Sequence, residues 1–120
     1  MARIFECGRK STLALRQRKG LLLRQLTIPP DLLRASVVER FATCGKAQCH
    51  CHHGGGKHGP FYYLAQCLAV GKMNKYQLKS QAQQQAARQG AEHFRALQEQ
   101  LEELSQINAE LLRREERLRA

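Results

Sequence analysis

Three cysteines and four histidines are concentrated in one fifteen-residue segment in the middle of the chain. The segment contains Cys44, Cys49, Cys51, His50, His52, His53 and His58. Zinc binds sulfur and imidazole donors at tetrahedral angles, and closely spaced cysteines on a tight turn supply several of these donors at little entropic cost. We therefore expect one structural zinc ion (Zn²⁺) held by the three cysteines and one histidine.

The fourth ligand is the open part of this prediction. His58 is preferred because the glycine run 54–56 allows the chain to swing back and close a Cys3His site. The alternatives are His52, His53, His50 and Cys67. A second interpretation is that the cysteines are free thiols beside a histidine-rich loop.

A catalytic zinc site needs an open coordination position and a nearby general base. No acidic residue lies between Glu39 and Glu92, and the His-x-Glu pattern of zinc deaminases is absent. Glycines 54–56 also lack the residues that accompany a phosphate-binding loop. We therefore expect a protein that is not an enzyme.

The rest of the chain predicts an α+β fold. Good helix formers from Ser11 to about Leu26 indicate an N-terminal helix. Runs typical of strands, separated by turn residues, cover 36–43, 61–68 and 75–78. The expected fold is a small three-stranded antiparallel β unit, stapled by zinc, between this helix and a long C-terminal helix. The expected segments are a basic 1–35, a zinc-binding β domain 36–79 and a helical 80–120.

The C-terminal helix is predicted to run from Ser80 to the end of the chain, with Gly90 as a weak point. One face of this helix carries a mainly leucine stripe with heptad spacing. The stripe includes Leu97, Leu101, Leu104, Asn108, Leu111 and Leu118. A single Asn at an a position sets register and strand number in coiled coils. The stripe fits a homodimeric coiled coil, and it equally fits an intramolecular hairpin with the N-terminal helix.

The positive charge lies on one part of the chain. The formal net charge is +10, and residues 1–79 hold 14 Lys and Arg against 3 Asp and Glu. Such a surface attracts polyanions, of which nucleic acid, DNA or RNA, is the most abundant in a cell. An acidic protein is an alternative partner. The N-terminus has no apolar signal region, and no run is long enough to span a membrane, so we expect a cytoplasmic protein with reduced cysteines.

Two groups of residues are candidates for nucleic-acid contact. The first is the basic face of the N-terminal helix, with Arg16, Arg18, Lys19 and Arg24. The second accompanies the strands, with Tyr62 predicted on the outer face for base stacking. Phosphate contacts are expected there from Lys46, Lys57, Lys72 and Lys75.

The motif Cys-Gly-Lys-x-x-Cys-x-Cys at 44–51, followed by His-Gly-Pro-Phe-Tyr-Tyr-Leu at 58–64, resembles an uncharacterised family of small bacterial Cys-rich proteins. The resemblance covers roughly residues 36–112, and Phe61 replaces a tyrosine of the family pattern. It implies that Cys44, Cys49, Cys51 and His58 are the matching positions. It also implies an association with transposases and other mobile-element genes.

Two functions follow as hypotheses. The first is a nucleic-acid-binding accessory protein that acts with a transposase or recombinase. The second is a protein–protein adaptor that works through the C-terminal coiled coil without direct nucleic-acid contact.

Overall fold

Three antiparallel strands form the sheet that the sequence predicts. In the computed structural model, which describes residues 3–119, β1 is Ser36–Ala42, β2 is His58–Ala69 and β3 is Lys72–Leu78. The strand order is β1-β2-β3, and both neighbouring pairs are antiparallel. The strands β2 and β3 each begin three residues earlier than predicted, so that His58 is the first residue of β2.

Cross-strand register defines the two faces of this sheet. Leu64 of β2 is opposite Val37 of β1 and Tyr76 of β3. Opposite residues, and residues two apart on one strand, share a face. We call the face with Leu64, Tyr62 and Leu78 the inner face, and the opposite face the outer face.

A small apolar core covers the inner face. It consists of the buried residues Leu64, Leu78 and Ala87, with Leu33, Ala35, Val37 and Tyr62 packed against it. Ala87 belongs to the long helix α2, Gln81–Arg113. Residues 81–92 of α2 therefore form one layer and the sheet the other.

Gly90 does not interrupt α2, although the sequence marked it as a weak point. The segment before β1 approaches the helix at this glycine, and Leu33 N donates to Gly90 O at 3.1 Å. A Cβ at position 90 would lie 2.5 Å from Asp31 O and 2.9 Å from the Leu33 Cβ. The absent side chain makes room for this packing.

A helical pair is formed by α1, Thr12–Gln25, and residues 93–113 of α2. Ser11 is the N-cap of α1, and its side chain accepts a hydrogen bond from Ala14 N at 3.1 Å. The core of this pair consists of Cys7, Leu15, Leu22, Ile107 and Leu111, with Phe5 and Leu104 packed against it.

Internal contacts divide the described chain into two units. Unit 1 is formed by residues 3–30 and 93–119, and unit 2 by residues 31–92. The three segments 1–35, 36–79 and 80–120 follow changes in composition, and the roles assigned to them remain predictions.

The C-terminal helix is shorter than predicted, because it ends at Arg113. Glu115 has a φ of 59°, in the left-handed region. Glu116 N donates to Leu111 O at 2.9 Å, and Glu115 N donates to Leu112 O at 3.0 Å. These two bonds form a Schellman C-cap, which turns the chain away from the helix axis. Leu118, which the sequence places in the stripe, therefore lies outside the helix.

The leucine stripe adopts the intramolecular hairpin that the sequence left as one of two alternatives. Leu111 is 0% exposed and packs with Leu15 and Leu22 of α1, and Leu104 packs against the same cluster. Leu97 is also buried, whereas Leu101 is 49% exposed. Among residues 3–119, no helix has the length and apolar character needed to cross a membrane.

Candidate metal centre

Strand pairing brings the two ends of the cysteine segment together. Ala42, the last residue of β1, pairs with His58, the first residue of β2, beyond a register shift that follows Arg40. Residues 43–57 therefore form a loop closed at its base by the sheet. All three predicted cysteine ligands lie on this loop, and His58 lies at its exit.

Cys44, Cys49, Cys51 and His58 form a compact cluster of donor atoms. Their sulfur and ring nitrogen atoms all lie within 4.8 Å of one another. The Cys44 and Cys51 Sγ atoms are 3.7 Å apart, and Cys49 Sγ is 3.1 Å from His58 Nε2. The cluster is compatible with a metal site, and it contains the four residues predicted from the sequence.

One separation within the cluster matches the geometry of a tetrahedral zinc site. Zinc–sulfur bonds of about 2.3 Å at tetrahedral angles place two sulfur atoms about 3.8 Å apart. The Cys44–Cys51 separation of 3.7 Å is close to this edge length. Cys51 is buried, and the other three donors belong to half-buried residues.

Short-range backbone bonds shape the loop. Cys49 N donates to Lys46 O at 3.0 Å, and a single 3-10 turn, His50–His52, follows. Gly55 N donates to His50 O at 2.8 Å. A Cβ on Gly55 would lie only 2.6 Å from that oxygen, so the close return of the chain requires glycine.

Three of the four alternative ligands have contacts outside the cluster, whereas His50 Nδ1 lies 3.7 Å from Cys49 Sγ. His52 Nε2 is 2.6 Å from Cys44 O, and His53 Nε2 is 3.0 Å from Ala47 O. Both imidazoles thus bond to carbonyl oxygens of the loop and hold it closed. Cys67 is exposed on β2, and its Sγ contacts Ala69 O at 3.4 Å.

Hydrogen bonds favour the ionised form of one ligand. The backbone N–H of Cys51 and the His58 ring lower the pKa of the Cys49 thiol to about 6. Burial has the opposite effect on Cys51 and raises the pKa of its thiol, although the Cys44 N–H donates to Cys51 Sγ at 3.4 Å. Metal binding requires thiolates, so the lowered pKa favours Cys49 as a ligand at neutral pH.

A groove of about 460 Å³ opens beside the cluster. Ligands Cys44, Cys49 and His58 form part of its lining, together with Lys46 and Phe61. The groove therefore has an apolar wall, a cation and three of the four donor residues within one concave surface.

The predicted basic face of α1 is largely engaged within unit 1. Lys19 is buried, whereas the sequence predicts a surface cation there, so the structure does not favour its predicted contact with nucleic acid. Arg18 forms two hydrogen bonds with Glu103, at 2.7 and 2.8 Å. Arg16 donates to Glu116 and to Arg117 O. Arg24 is exposed.

The basic residues predicted near the strands are exposed, whereas the predicted aromatic contact faces the core. Lys46, Lys57, Lys72 and Lys75 all lie at the surface. Tyr62 packs against the core of Leu64, Leu78 and Ala87, and the Arg88 guanidinium lies 4.7 Å from its ring centroid. The prediction that Tyr62 lies on the outer face is wrong, because Tyr62 and Leu64 are two residues apart on β2 and share the inner face.

The outer face carries residues that were not among the predicted nucleic-acid contacts. Phe61 and Tyr63 lie there, with Arg40 opposite Phe61 and with Lys75 Nζ 5.6 Å from the Tyr63 ring centroid. Knowing that Leu64 is the buried residue of β2 would have identified this face, since strand side chains alternate.

Part of the chain matches a protein family whose function is not characterised. Residues 12–66 match the model of a family described as a domain of unknown function, DUF6788. The match covers just under half of the chain and includes α1, β1 and the whole ligand cluster. The chain is similar to this family over that range. No curated protein and no solved structure matches the chain.

Proposed function

We propose that the protein is a nucleic-acid-binding accessory protein whose Cys44, Cys49, Cys51 and His58 hold one structural zinc ion. Nucleic acid is the proposed partner of unit 2, and zinc is the proposed support of the loop next to its sheet.

The observation that carries this proposal is the exposed positive charge of unit 2. Residues 31–92 contain eight Lys and Arg against three Asp and Glu. All eight cationic residues lie at the surface: Arg34, Arg40, Lys46, Lys57, Lys72, Lys75, Lys79 and Arg88. Clustered cations neutralise phosphates and release condensed counterions, which favours binding of a polyanion.

Unit 1 uses its charges differently. Several of its arginines form ion pairs within the unit, including Arg18 with Glu103, Arg3 with Glu99 and Arg114 with Glu110. Such pairs reduce the local field that an approaching polyanion meets. Unit 2 is therefore the better candidate for the nucleic-acid surface.

Zinc is proposed because of the donor set. Three thiolates and one imidazole favour zinc over magnesium or calcium, which prefer oxygen ligands. Four protein donors close the coordination sphere, as in structural sites. A bound ion would tie the 43–57 loop to β2 and so order the lysine-bearing surface beside it.

Binding to labelled oligonucleotides tests the proposal directly. Fluorescence anisotropy of the zinc-loaded full chain is measured with single strands and duplexes of about 20 nucleotides. We expect the affinity for a single strand to fall about 20- to 50-fold as salt rises from about 50 to about 200 mM, if three or four phosphates are neutralised. Absence of binding at the lower salt concentration would overturn the proposal.

The adaptor hypothesis requires exposed residues in the leucine stripe, and only part of the stripe is exposed. Leu101 is exposed, but Leu111 and Leu97 are buried within the chain, so a homodimer through the whole stripe would require unit 1 to open. This burial makes the adaptor the weaker of the two proposals. A transposase or recombinase partner remains an expectation from the family resemblance.

A further inference from the structure

The outer face of the sheet places two aromatic rings and two cations next to one another. Phe61 of β2 is directly opposite Arg40 of β1. Tyr63, two residues further along β2, is diagonal to Lys75 of β3, and the Lys75 ammonium lies 5.6 Å from its ring centroid. All four side chains therefore belong to one surface.

This surface is accessible and positively charged. Arg40 and Lys75 are exposed, and the two rings are half-buried. Glu39, the one acidic residue of the three strands, lies on the inner face because its partner is Tyr62. A polyanion that approaches the outer face thus meets cations of the sheet without an opposing strand carboxylate.

The aromatic rings are spaced for separate bases. Residues two apart on a strand are separated by about 6.8 Å, twice the rise per residue. Duplex base pairs are stacked about 3.4 Å apart, whereas the bases of a single strand can be splayed apart onto protein rings. Phe61 also lines the groove beside the donor cluster, so the surface continues towards Lys46.

We infer that the outer face binds single-stranded nucleic acid, with bases stacked on Tyr63 and Phe61 and phosphates contacted by Arg40 and Lys75. The inference rests on the proposed function and specifies its ligand and its contact surface. Stacking tolerates any base because every base has a π face, so little sequence preference is expected. On binding, Lys75 moves from the Tyr63 ring to a phosphate, which leaves that ring face to a base.

The test compares tyrosines on opposite faces of the same sheet. Tyr63→Leu removes the ring and keeps an apolar side chain, Tyr63→Phe keeps the ring, and Tyr76→Leu is the matched control. Tyr76 is 48% exposed and lies on the inner side, opposite Leu64. Affinities are measured by anisotropy for one sequence of about 20 nucleotides as single-stranded DNA, single-stranded RNA and duplex DNA.

We expect Tyr63→Leu to weaken binding to a single strand about 5- to 100-fold, the cost of losing one stacked base. Duplex binding should change little, and Tyr63→Phe and Tyr76→Leu should bind like the unmodified protein. Arg40→Gln and Lys75→Gln should each lower the slope of log affinity against log salt by about 0.7. A comparison of the DNA and RNA arms identifies the preferred polymer.

Two results would overturn the inference while leaving the proposed function intact. One is unchanged single-strand affinity in Tyr63→Leu, and the other is an equal loss of single-strand and duplex affinity. If the unmodified protein binds no oligonucleotide at low salt, the proposed function fails, and this inference fails with it. Bound metal and circular dichroism of each variant establish that it is folded.

Discussion

Lys19 Nζ lies 2.7 Å from Asn108 Oδ1, and the same ammonium donates to the carbonyl oxygen of Leu118. The sequence predicts two separate roles for this pair, phosphate contact for Lys19 and coiled-coil register for Asn108. In the structure the two residues are hydrogen-bond partners between α1 and α2 within unit 1. Lys19 is only 9% exposed, so its charge depends on these internal acceptors.

Asn108→Leu distinguishes the two roles of this asparagine. In a dimeric coiled coil, removing a lone polar a residue stabilises the association. In the observed hairpin, the substitution leaves a buried ammonium with one acceptor fewer, and we expect a loss of about 1–3 kcal/mol in the free energy of unfolding. Urea unfolding followed by circular dichroism measures the change.

The double variant Lys19→Met with Asn108→Leu is the control for that experiment. It replaces both polar partners with apolar groups, so it should recover most of the stability lost in Asn108→Leu. If Asn108→Leu raises stability in a manner that depends on protein concentration, the homodimer is correct and the hairpin is not the solution structure.

Lowering the pH should reduce the stability of unit 1, because Glu103 becomes protonated. The bidentate hydrogen bonds from Arg18 lower the pKa of this carboxyl below its ordinary 4.5, although burial opposes the shift. Because the folded-state pKa is below the unfolded one, the stabilisation is complete above pH 4.5 and is lost as pH falls through the folded-state pKa. Methyl NMR signals of Leu15 and Leu111 at several urea concentrations report the stability of unit 1 across this range.

Glu103→Gln should lower the free energy of unfolding of unit 1 by about 1–3 kcal/mol at neutral pH. It should also make the stability of unit 1 less dependent on pH. Some slope should remain, because the guanidinium groups of Arg113 and Arg114 lower the pKa of Glu110 to about 2. Glu99→Gln is the matched control, since its pair with Arg3 is exposed and should change stability by less than about 0.5 kcal/mol. Equal effects of the two substitutions would contradict this account.

Two helical glycines should respond to alanine in opposite directions. Gly90→Ala places a methyl group against Asp31 O and the Leu33 Cβ, so we expect a loss of about 1–3 kcal/mol despite the better helix propensity. Gly20→Ala meets only the flexible end of Arg24, at 3.6 Å, and should gain up to about 1 kcal/mol. Thermal unfolding compares the two variants. A stabilising Gly90→Ala would show that the 31–33 segment does not pack on α2.

Zinc stoichiometry tests the metal centre. We expect about one zinc per chain by elemental analysis of the purified protein, and tetrahedral thiolate absorption after cobalt substitution. Cys49→Ser and His58→Ala should each lower the bound metal and the midpoint of thermal unfolding of unit 2, because binding energy is folding energy in such sites.

Matched variants outside the cluster control for loss of a thiol or an imidazole. Cys67→Ser removes an exposed cysteine, and His53→Ala removes a histidine that bonds a loop carbonyl. Both should keep the full metal content. Loss of metal in His53→Ala with retention in His58→Ala would assign the fourth ligand to His53 instead.

Local chemistry made the metal ligands predictable. Cys44, Cys49 and Cys51 are close in sequence, so their convergence needs only a short loop, and the glycines after them allow the chain to return to His58. The order of helix, three strands and helix was also predictable, because each element has its own periodicity and turn residues. The end of α2 was not, since its Schellman cap depends on a left-handed residue, Glu115, that is neither glycine nor asparagine.

The amino-acid sequence by itself determined three of the four clustered donors, favoured His58 as the fourth, and determined the element types and the excess of positive charge. Tertiary structure decided which face of each element is buried and which is exposed. Tyr62 and Tyr63 are adjacent and chemically identical, and only the burial of Leu64 places one on the core and the other on the outer face. Likewise, only the packing of α1 on α2 turns Lys19 from a surface cation into a buried partner of Asn108. A strand or helix pattern specifies the period of its side chains, whereas the direction of each face depends on what packs against it.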